Sequence, residues 1–346
     1  AHPGYPQTGL SFTRNIDSLV QQYLLEKDLP SAAIGIVQGD EIIYAKRLLH
    51  PKAALPKDAK EERAIYNIAS VAKPFLATAI LMLEAEGKLQ LEDPIVKYLP
   101  EFKINSKYQN EISIQHLLTH SSGLPSVYPP DAYEYKSVDT SDQALEKHIR
   151  SLSSVKLAFR PGKKFAYSNV GFEVLGYLIC RLSGQTFPEF MQNRLFQPLG
   201  MERSSYILSD FKKEALALPH QGHPYKETER FPYHRAFSPS GNLFISIQDL
   251  SKWMLFNLNL GQYQETRLLS ENRYKKLVTP QLDSKEDGLM GLSWFLKPEH
   301  KIIFHDGLDM GYSALMVLFP ESSIGISVMV NHQEANGNEI LNLILK

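Results

Sequence analysis

The chain has 346 residues, of which 43% are hydrophobic and 22% are charged, and its 37 basic and 38 acidic residues leave a formal net charge of -1. This length and composition are typical of a globular protein with one large domain or two domains that share an interface. The near-neutral charge gives no electrostatic reason to expect nucleic acid or an anionic membrane surface as a partner, and small-molecule or peptide substrates remain open.

The amino-terminal part of the chain is predicted to form a helix and then a β-hairpin. The helix lies in FTRNIDSLVQQYLLEKDLP, and the strands SAAIGIVQ and EIIYAKRL are separated only by Gly39 and Asp40. The chain begins with Ala-His-Pro and has no basic, apolar leader, so we expect that any signal peptide is absent from this chain. Its longest apolar stretch, PFLATAILML, is too short to span a bilayer, so no transmembrane segment is expected.

The middle of the chain is predicted to be helical, and its end returns to strands. Helical spacing and caps occur in FLATAILMLEAEGKL, SIQHLLTH, SDQALEKHIRSL, VGFEVLGYLICRLSG, FPEFMQNRLFQPLG and IQDLSKWMLFNLNLG. Strands are predicted in KIIFH, YSALMVLF and IGISVMVN, followed by a short helix in GNEILNLILK. A helical region therefore interrupts a sheet that is built from both ends of the chain.

The segment YNIASVAKPF places Ser70 three residues before Lys73, at the start of a helix predicted from Val71 to Leu83. Three residues turn a helix by about 300° and advance it by about 4.5 Å, so the two side chains share a face. Because this helix is apolar nearly all round, Lys73 loses water, and its pKa falls until the amine accepts protons near neutral pH. A buried base beside a hydroxyl is what an activated serine requires. The alternative is that Ser70 only caps the helix and Lys73 reaches out to solvent.

Two further segments favour the catalytic interpretation. Tyr167, Ser168 and Asn169 directly precede a predicted helix, and His305-Asp306-Gly307 follows a predicted strand. The combination of S-x-x-K with elements of these two types is typical of penicillin-recognising serine enzymes.

With these motifs the chain resembles the β-lactamase-related serine hydrolases, which include class C β-lactamases, low-molecular-weight penicillin-binding proteins, D-aminopeptidases and related esterases. The Tyr-x-Asn form at Tyr167 and Asn169 is similar to the class C branch. The resemblance extends from about residue 17 to about residue 331 through three more stretches: EGKLQLEDPIVKYLPEF, ISIQHLLTHSSGLP and FQPLGM. It implies an α+β fold of the β-lactamase/transpeptidase type, in which an antiparallel sheet from both chain ends is flanked by helices and an all-helical region is inserted. We expect a sheet domain of residues 1–65 and 236–346 and a helical domain of residues 66–235.

The resemblance also implies a role for each motif residue. Ser70 attacks a carbonyl, Lys73 and Tyr167 share the proton transfers, and Asn169 positions the substrate's amide or acyl group. The residue that takes the first proton is left open, because a coupled pair titrates as a unit. The backbone N–H groups of Ser70 and Leu308 would form the oxyanion hole, where each donor contributes about 3 to 4 kcal/mol.

The third motif departs from the family pattern. Where the well-known β-lactamases and carboxypeptidases have lysine, this chain has His305, which we expect to be partly charged near neutrality, since its reference pKa is about 6.5. Carboxylate binding should then be weaker and pH-dependent, and an ionised Asp306 in the cleft would disfavour it further, although strand alternation turns that side chain away. Gly307 is expected to let an acyl group lie close to the strand edge.

These departures favour esters, amides or D-amino-acid peptides as substrates over a true class C-like β-lactamase or D-Ala-D-Ala carboxypeptidase activity, with β-lactams kept as potential ligands. A catalytically silent binding or scaffold member of the fold is the alternative of another class, and the joint presence of the four motif residues argues against it. No cofactor or metal is expected, and the oligomeric state is left open. The family's usual substrates, cell-wall peptides, favour an exported bacterial protein, periplasmic or extracellular.

Other residues with chemical potential are assigned structural roles. Cys180 lies among apolar neighbours and is expected to be a packed thiol. His120 next to Ser121 is expected to serve a turn, because adjacent residues rarely face each other. The three histidines His220, His223 and His234 lack carboxylate or cysteine ligands in a regular element, so a zinc site is disfavoured.

Overall fold

The computed structural model describes residues 9–50, 64–285 and 288–346. Its strands, in chain order, are β1 Ser31–Gln38, β2 Glu41–Leu49, β3 Ile65–Asn67, β4 Ser204–Ser205, β5 His220–Gln221, β6 Lys226–Glu227, β7 Phe244–Ser246, β8 Gln262–Tyr263, β9 Thr266–Arg267, β10 Leu282–Asp283, β11 Leu289–Met290, β12 Phe295–Lys297, β13 Ile302–Asp309, β14 Tyr312–Phe319 and β15 Ile324–Val330. Its α-helices are α1 Gly9–Glu26, α2 Lys73–Ala85, α3 Ile114–Leu118, α4 Ala144–Ser151, α5 Asn169–Ser183, α6 Phe187–Met191, α7 Ile247–Leu258, α8 Glu271–Leu277 and α9 Gly337–Ile344.

The main sheet has eight antiparallel strands and joins the two ends of the chain. Its order is β10-β11-β12-β13-β14-β15-β1-β2, and β1 lies against β15 with Ala32 opposite Val330. The hairpin predicted at Gly39 and Asp40 connects β1 to β2. The predicted fold class, an antiparallel sheet from both ends with helices around it, is therefore confirmed.

Helices cover both faces of this sheet. On one face, Val20 and Leu24 of α1 and Ile340 of α9 pack with Leu315 and Val328 in one buried apolar cluster. Each such side chain contributes roughly 1.5 to 3 kcal/mol when it is fully buried. Helix α7 packs on the other face, against β1 and β15.

A glycine permits the close approach of α7 to the sheet. A Cβ atom at Gly35 of β1 would lie 2.6 Å from Ser251 Oγ of α7. Since real Cβ atoms are not found that close to another heavy atom, a larger residue at this position would force the side chain of Ser251 or the helix itself to move.

The inserted region is built around α2, which is buried on every side from Lys73 to Leu83. Phe75 of α2 stacks on Trp253 with a centroid distance of 3.9 Å, and α5 packs on α2 as well as on α3, α4 and α6. The all-round apolar pattern of α2 thus predicted its burial correctly.

The structure contains elements that were not predicted, among them β3 to β9 and α8, and three differences concern the main sheet and the region around Ser70. The short strands β10, β11 and β12 extend the main sheet and were not predicted, because strands of two or three residues carry no clear alternation. Strand β13 continues through the third motif to Asp309, since its pairing with β14 runs up to Asp309 and Tyr312. Helix α2 begins at Lys73, and the predicted first residues of this helix form a separate 3-10 turn, Ala69–Ala72.

The division into a sheet domain of residues 1–65 and 236–346 and a helical domain of residues 66–235 stays a prediction. One continuous cluster of buried apolar side chains joins the two regions and includes Val37 and Met329 of the sheet together with Phe172 and Leu178 of α5. None of the helices in the described ranges is both long and apolar enough to cross a membrane.

Candidate active site

Ser70 lies in the 3-10 turn Ala69–Ala72, which we call the serine turn. Ala69 has a left-handed φ of 46°, a conformation that costs a residue with a side chain about 1 to 2 kcal/mol. The buried side chain of Asn67 supports it, because Asn67 Oδ1 accepts a hydrogen bond of 2.8 Å from the Ala69 N–H. This bend sets the serine apart from α2 and leaves its side chain partly exposed, while its neighbours are buried.

Lys73 points from the first position of α2 towards this serine. Its side chain is fully buried, and Nζ donates a hydrogen bond of 2.9 Å to Ser70 Oγ and another to the backbone carbonyl of Ser240. Nζ also lies 5.0 Å from the ring centre of Tyr167 and 5.5 Å from that of Phe172. The alternative in which Lys73 reaches out to solvent is therefore wrong.

The burial of Lys73 changes its proton affinity. Loss of water lowers the pKa of Lys73 from 10.5 to about 7, and the negative charges of Glu173, Asp309 and Asp306 oppose part of this change. At neutral pH a substantial fraction of the amine is unprotonated while it contacts the serine hydroxyl. The arrangement can therefore remove a proton from Ser70.

Tyr167 stacks on a histidine that forms the back of the site. The rings of Tyr167 and His120 are 4.2 Å apart at 23°, and His120 Nδ1 accepts a hydrogen bond of 3.0 Å from the Ser168 N–H. The Tyr167 hydroxyl is buried without a partner of normal hydrogen-bond geometry in the described part of the chain. Burial raises the pKa of Tyr167 well above its usual value, and Ser70 opposes this change.

The sequence predicted only a turn role for His120, and it missed the packing of its ring. The residue does adopt a left-handed φ of 54°, but its ring is also completely buried beneath the tyrosine. Burial lowers the pKa of His120 well below its usual value, so the ring is neutral. No local pattern in LLTHSSG indicates this contact, because Tyr167 lies far away in the sequence.

Asn169 is the first residue of α5, whose start is capped by Ser168 through a bond of 3.0 Å from the Gly171 N–H to Ser168 Oγ. The Asn169 side chain is only 8% exposed. Its Oδ1 has no hydrogen-bond partner within residues 9–50, 64–285 and 288–346. Because an unpaired buried acceptor is costly, this oxygen is suited to accept a donor from a bound molecule.

His305 does not have the character that the sequence predicted. It points inward from β13 and is completely buried, with Nδ1 2.6 Å from the Asp306 carbonyl oxygen. Burial, and then the nearby charge of Lys73, lowers the pKa of His305 to about 3. The expectation of a partly charged side chain near neutrality is therefore wrong, and the site has no cation at this position.

The neighbours of His305 alternate as a strand requires. Gly307 is buried like His305, whereas Asp306 and Leu308 face outward and Leu308 is 67% exposed. The structure shows a packing requirement for this glycine, and its predicted role beside a bound acyl group stays a prediction. A Cβ atom at Gly307 would lie 2.4 Å from the Ile68 carbonyl oxygen and 2.9 Å from the Ser70 nitrogen, so only glycine lets β13 contact the serine turn.

Sequence reasoning missed a set of polar residues behind Lys73. Glu173, His148, Ser240 and Tyr133 are joined by hydrogen bonds there. A signal for Glu173 was present, since it is the only acidic residue in the apolar helix α5. The segment LPSVYPPDAYEYKSVDT, residues 124–140, has three tyrosines, and we call it the Tyr-rich loop. It also supplies Tyr135, whose hydroxyl donates a bond of 2.8 Å to Asp309 Oδ2.

Cys180 and the histidines outside the site form no further catalytic or metal site in the described ranges. Burial raises the pKa of Cys180 to about 12, so its thiol is not activated. A search of these ranges finds no group of three or more His, Cys, Asp or Glu side chains that could hold a metal ion.

Residues 16–345 match the protein family described as Beta-lactamase. The chain is 28% identical over 320 residues to Protein flp of Staphylococcus aureus (strain COL), an alignment that covers 92% of this chain and 63% of that protein. It is 33% identical over 227 residues to Esterase EstB of Burkholderia gladioli, over 62% of this chain and 56% of the esterase. The chain thus spans less than two thirds of the length of these relatives.

Two solved structures are similar to this one over nearly the whole chain. The octameric penicillin-binding protein homologue from Pyrococcus abyssi superposes with a TM-score of 0.80 at 25% identity and covers 96% of this chain and 77% of that chain. A penicillin-binding protein from Bacillus halodurans superposes with a TM-score of 0.74 at 23% identity, over 94% and 98% of the two chains. The similarity to the Bacillus halodurans protein shows a shared fold and nothing more.

Proposed function

This chain belongs to the Beta-lactamase family, and on that premise we propose that it is a serine hydrolase that forms an acyl-enzyme at Ser70. One observation carries the proposal: Lys73 Nζ lies 2.9 Å from Ser70 Oγ in surroundings that lower the pKa of Lys73 to about 7. A binding or scaffold protein has no need of a buried base beside a hydroxyl, which argues against the silent alternative.

The proposed reaction begins when Ser70 Oγ attacks the substrate carbonyl carbon and Lys73 Nζ takes the hydroxyl proton. The raised pKa of Tyr167 keeps its phenol protonated at neutral pH, which supports Lys73 as the first base and Tyr167 as a donor to the leaving group. Water then attacks the acyl-enzyme, the same groups transfer the protons in reverse, and Ser70 is released. Asn169 would accept a hydrogen bond from the substrate.

The oxyanion hole is proposed to use the backbone N–H groups of Ser70 and Leu308. Asp309 and Tyr312 flank the two-residue turn between β13 and β14, so this pair exchanges hydrogen bonds and Leu308, one position away, directs its N–H to the other edge of β13. Strand β12 pairs only with residues 302–304 on that edge. The Leu308 N–H is thereby left for the substrate oxygen, beside the serine turn.

For the substrate we propose an ester, an amide or a D-amino-acid peptide that has no carboxylate at the point where the family lysine would bind it. The support is the uncharged, buried His305 and the likeness to an esterase. A β-lactamase or D-Ala-D-Ala carboxypeptidase is the second candidate, and it is favoured by the likeness to a penicillin-binding protein homologue.

The substitution His305→Lys tests the proposed substrate class. A lysine side chain is longer than that of histidine and can extend its ammonium from the buried position into the cleft, where a hydrogen bond to a charged group contributes about 1.5 to 3 kcal/mol. We expect the ratio of kcat/KM for a penicillin to kcat/KM for a neutral nitrophenyl ester to rise by at least about tenfold. His305→Gln, which adds no charge, serves as the control and should leave the ratio unchanged. An unchanged ratio in His305→Lys would contradict the substrate proposal.

The acyl-enzyme is tested by mass spectrometry on the wild-type chain. After reaction with a fluorophosphonate, we expect an adduct on the peptide that contains Ser70; an adduct elsewhere, or none, would refute the proposed function. The intact mass is then followed over time with a penicillin. A persistent adduct indicates a penicillin-binding protein and a transient one a β-lactamase, while ester turnover without a penicillin adduct supports the neutral substrate class.

A further inference from the structure

A buried polar cluster lies behind Lys73, on the side away from Ser70. We call it the Glu173 cluster; it consists of Glu173 of α5, His148 of α4, Ser240, which precedes β7, and Tyr133 of the Tyr-rich loop. Glu173 is 2% exposed, His148 8% and Ser240 1%. An acidic side chain is rarely buried this completely unless it is paired.

The Glu173 carboxylate is held from three elements of the fold. Glu173 Oε2 lies 2.7 Å from His148 Nε2. Ser240 Oγ lies within donating distance of Glu173 Oε1, at 3.0 Å, and the Tyr133 hydroxyl lies 3.3 Å from the same oxygen. These contacts fix the position of the carboxylate and compensate for its lost hydration.

The cluster reaches Lys73 in two ways. Ser240, which contacts Glu173 through its hydroxyl, accepts a hydrogen bond from Lys73 Nζ through its backbone carbonyl. Glu173 is also the nearby charge with the largest effect in favour of the lysine ammonium. The other titratable groups around Lys73 are Asp306, Asp309 and His305 on β13, Tyr167 before α5 and His120 after α3.

We propose that Glu173 is a positioning residue for the reaction at Ser70: its carboxylate, held by His148, keeps the Ser240 carbonyl against Lys73 and supplies a buried negative charge near the lysine. This inference rests on the proposed function. It assigns a role to a carboxylate that lies outside the S-x-x-K, Tyr-x-Asn and His-Asp-Gly motifs.

The direction in which Glu173 changes the pKa of Lys73 follows from the negative charge of its carboxylate. A carboxylate stabilises the ammonium, so its removal lets Lys73 lose its proton at a lower pH. If the neutral amine is the base for Ser70, the rise of activity with pH then moves to lower pH. A purely structural role for Glu173 would reduce activity at every pH without moving this midpoint.

The experiment compares Glu173→Gln with Glu173→Asp, which keeps the charge, and with Glu146→Gln, a matched control in which the carboxylate is exposed on α4 and pairs with Arg150. The first readout is the rate of fluorophosphonate labelling between about pH 5 and pH 9. The second, which needs no activity, is an NMR titration of the Lys73 Cε signal in protein with 13C-labelled lysine, assigned by its absence in Lys73→Met.

We expect Glu173→Gln to lower both midpoints by about one pH unit, Glu173→Asp to restore most of this shift, and Glu146→Gln to behave as the wild type. Unchanged midpoints in Glu173→Gln would overturn the inference. If the wild type is not labelled, the proposed function fails, whereas the NMR titration still decides the effect of Glu173 on Lys73.

Ser240→Ala provides a second test, which removes one hydroxyl and keeps the proposal falsifiable if Glu173→Gln does not fold. It breaks the contact that holds the backbone carbonyl of residue 240 against Lys73, but it leaves the carboxylate charge of Glu173 unchanged. We expect the labelling rate at high pH to fall about three- to tenfold with an unchanged midpoint. A wild-type rate in this variant would refute the positioning role.

Discussion

Replacing Ser70 with alanine is expected to abolish fluorophosphonate labelling and to reduce ester hydrolysis by roughly 10³- to 10⁶-fold. The reason is geometric, because Ser70 Oγ is the only side-chain hydroxyl that accepts a hydrogen bond from Lys73 Nζ in the described ranges. The measurement is the initial rate of hydrolysis of a nitrophenyl ester, together with intact mass after labelling.

The same substitution should leave the fold unchanged. Ser70 makes no side-chain cap at either end of its turn, so the free energy of unfolding is expected to stay within about 0.5 kcal/mol of the wild type. Ser168→Ala is the matched control: it removes the cap of α5 and costs about 1 kcal/mol, yet it should still be labelled. Wild-type hydrolysis by Ser70→Ala would contradict the nucleophile assignment.

Replacing Lys73 with methionine is expected to slow acylation of Ser70 by about 10²- to 10⁴-fold, the usual contribution of a positioned base. The rise of the wild-type rate through about pH 7 should also disappear, because the group that titrates there is removed. The measurement is the labelling rate against pH. Lys88→Met, at a lysine whose side chain is 41% exposed, is the control, and a retained rise near pH 7 in Lys73→Met would assign the base elsewhere.

Lys73→Met should at the same time stabilise the protein at low pH. The pKa of Lys73 is about 7 in the folded chain and about 10.4 in an unfolded one, so the unfolded state binds more protons between these values. The wild type therefore loses stability as the pH falls from about 10 to about 7, and the penalty is fully present below that range. Urea unfolding is measured for both proteins near pH 6 and pH 10. The free energy of unfolding of Lys73→Met should exceed that of the wild type by a few kcal/mol at the lower pH only.

The sequence predicted the parts of the site that depend on local spacing. Ser70 and Lys73 are three residues apart at the start of an apolar segment, which was enough to predict their contact and the burial of the lysine. A sheet built from both ends was likewise predicted, from the β-rich segments of β1, β2, β13, β14 and β15 and the turn residues between them, and the family resemblance implied that it is antiparallel. The roles of the individual site residues stay predictions until they are tested.

The parts that could not be predicted depend on distant contacts. The predicted charge of His305 was wrong because the residue is buried by packing between β13 and the helical region, which no local sequence pattern encodes. The close contact of Gly307 with the backbone of the serine turn could not be predicted either, because that turn lies over 200 residues earlier in the chain. The contacts of Glu173 with His148 and Ser240 likewise join three separate segments.

The pairing of β1 with β15 has a consequence for synthesis on the ribosome. Synthesis runs from the amino to the carboxyl end, so the β1–β2 hairpin can form as soon as β2 has been made, whereas the other edge of β1 has no partner until residues 324–330 have been made. The helices between β1 and β15 make contacts over shorter sequence separations, so we expect them to fold before β15 pairs with β1. The nascent chain therefore carries an exposed apolar edge from the synthesis of β1 until that of β15, and that edge is a target for chaperones or for pairing with another copy.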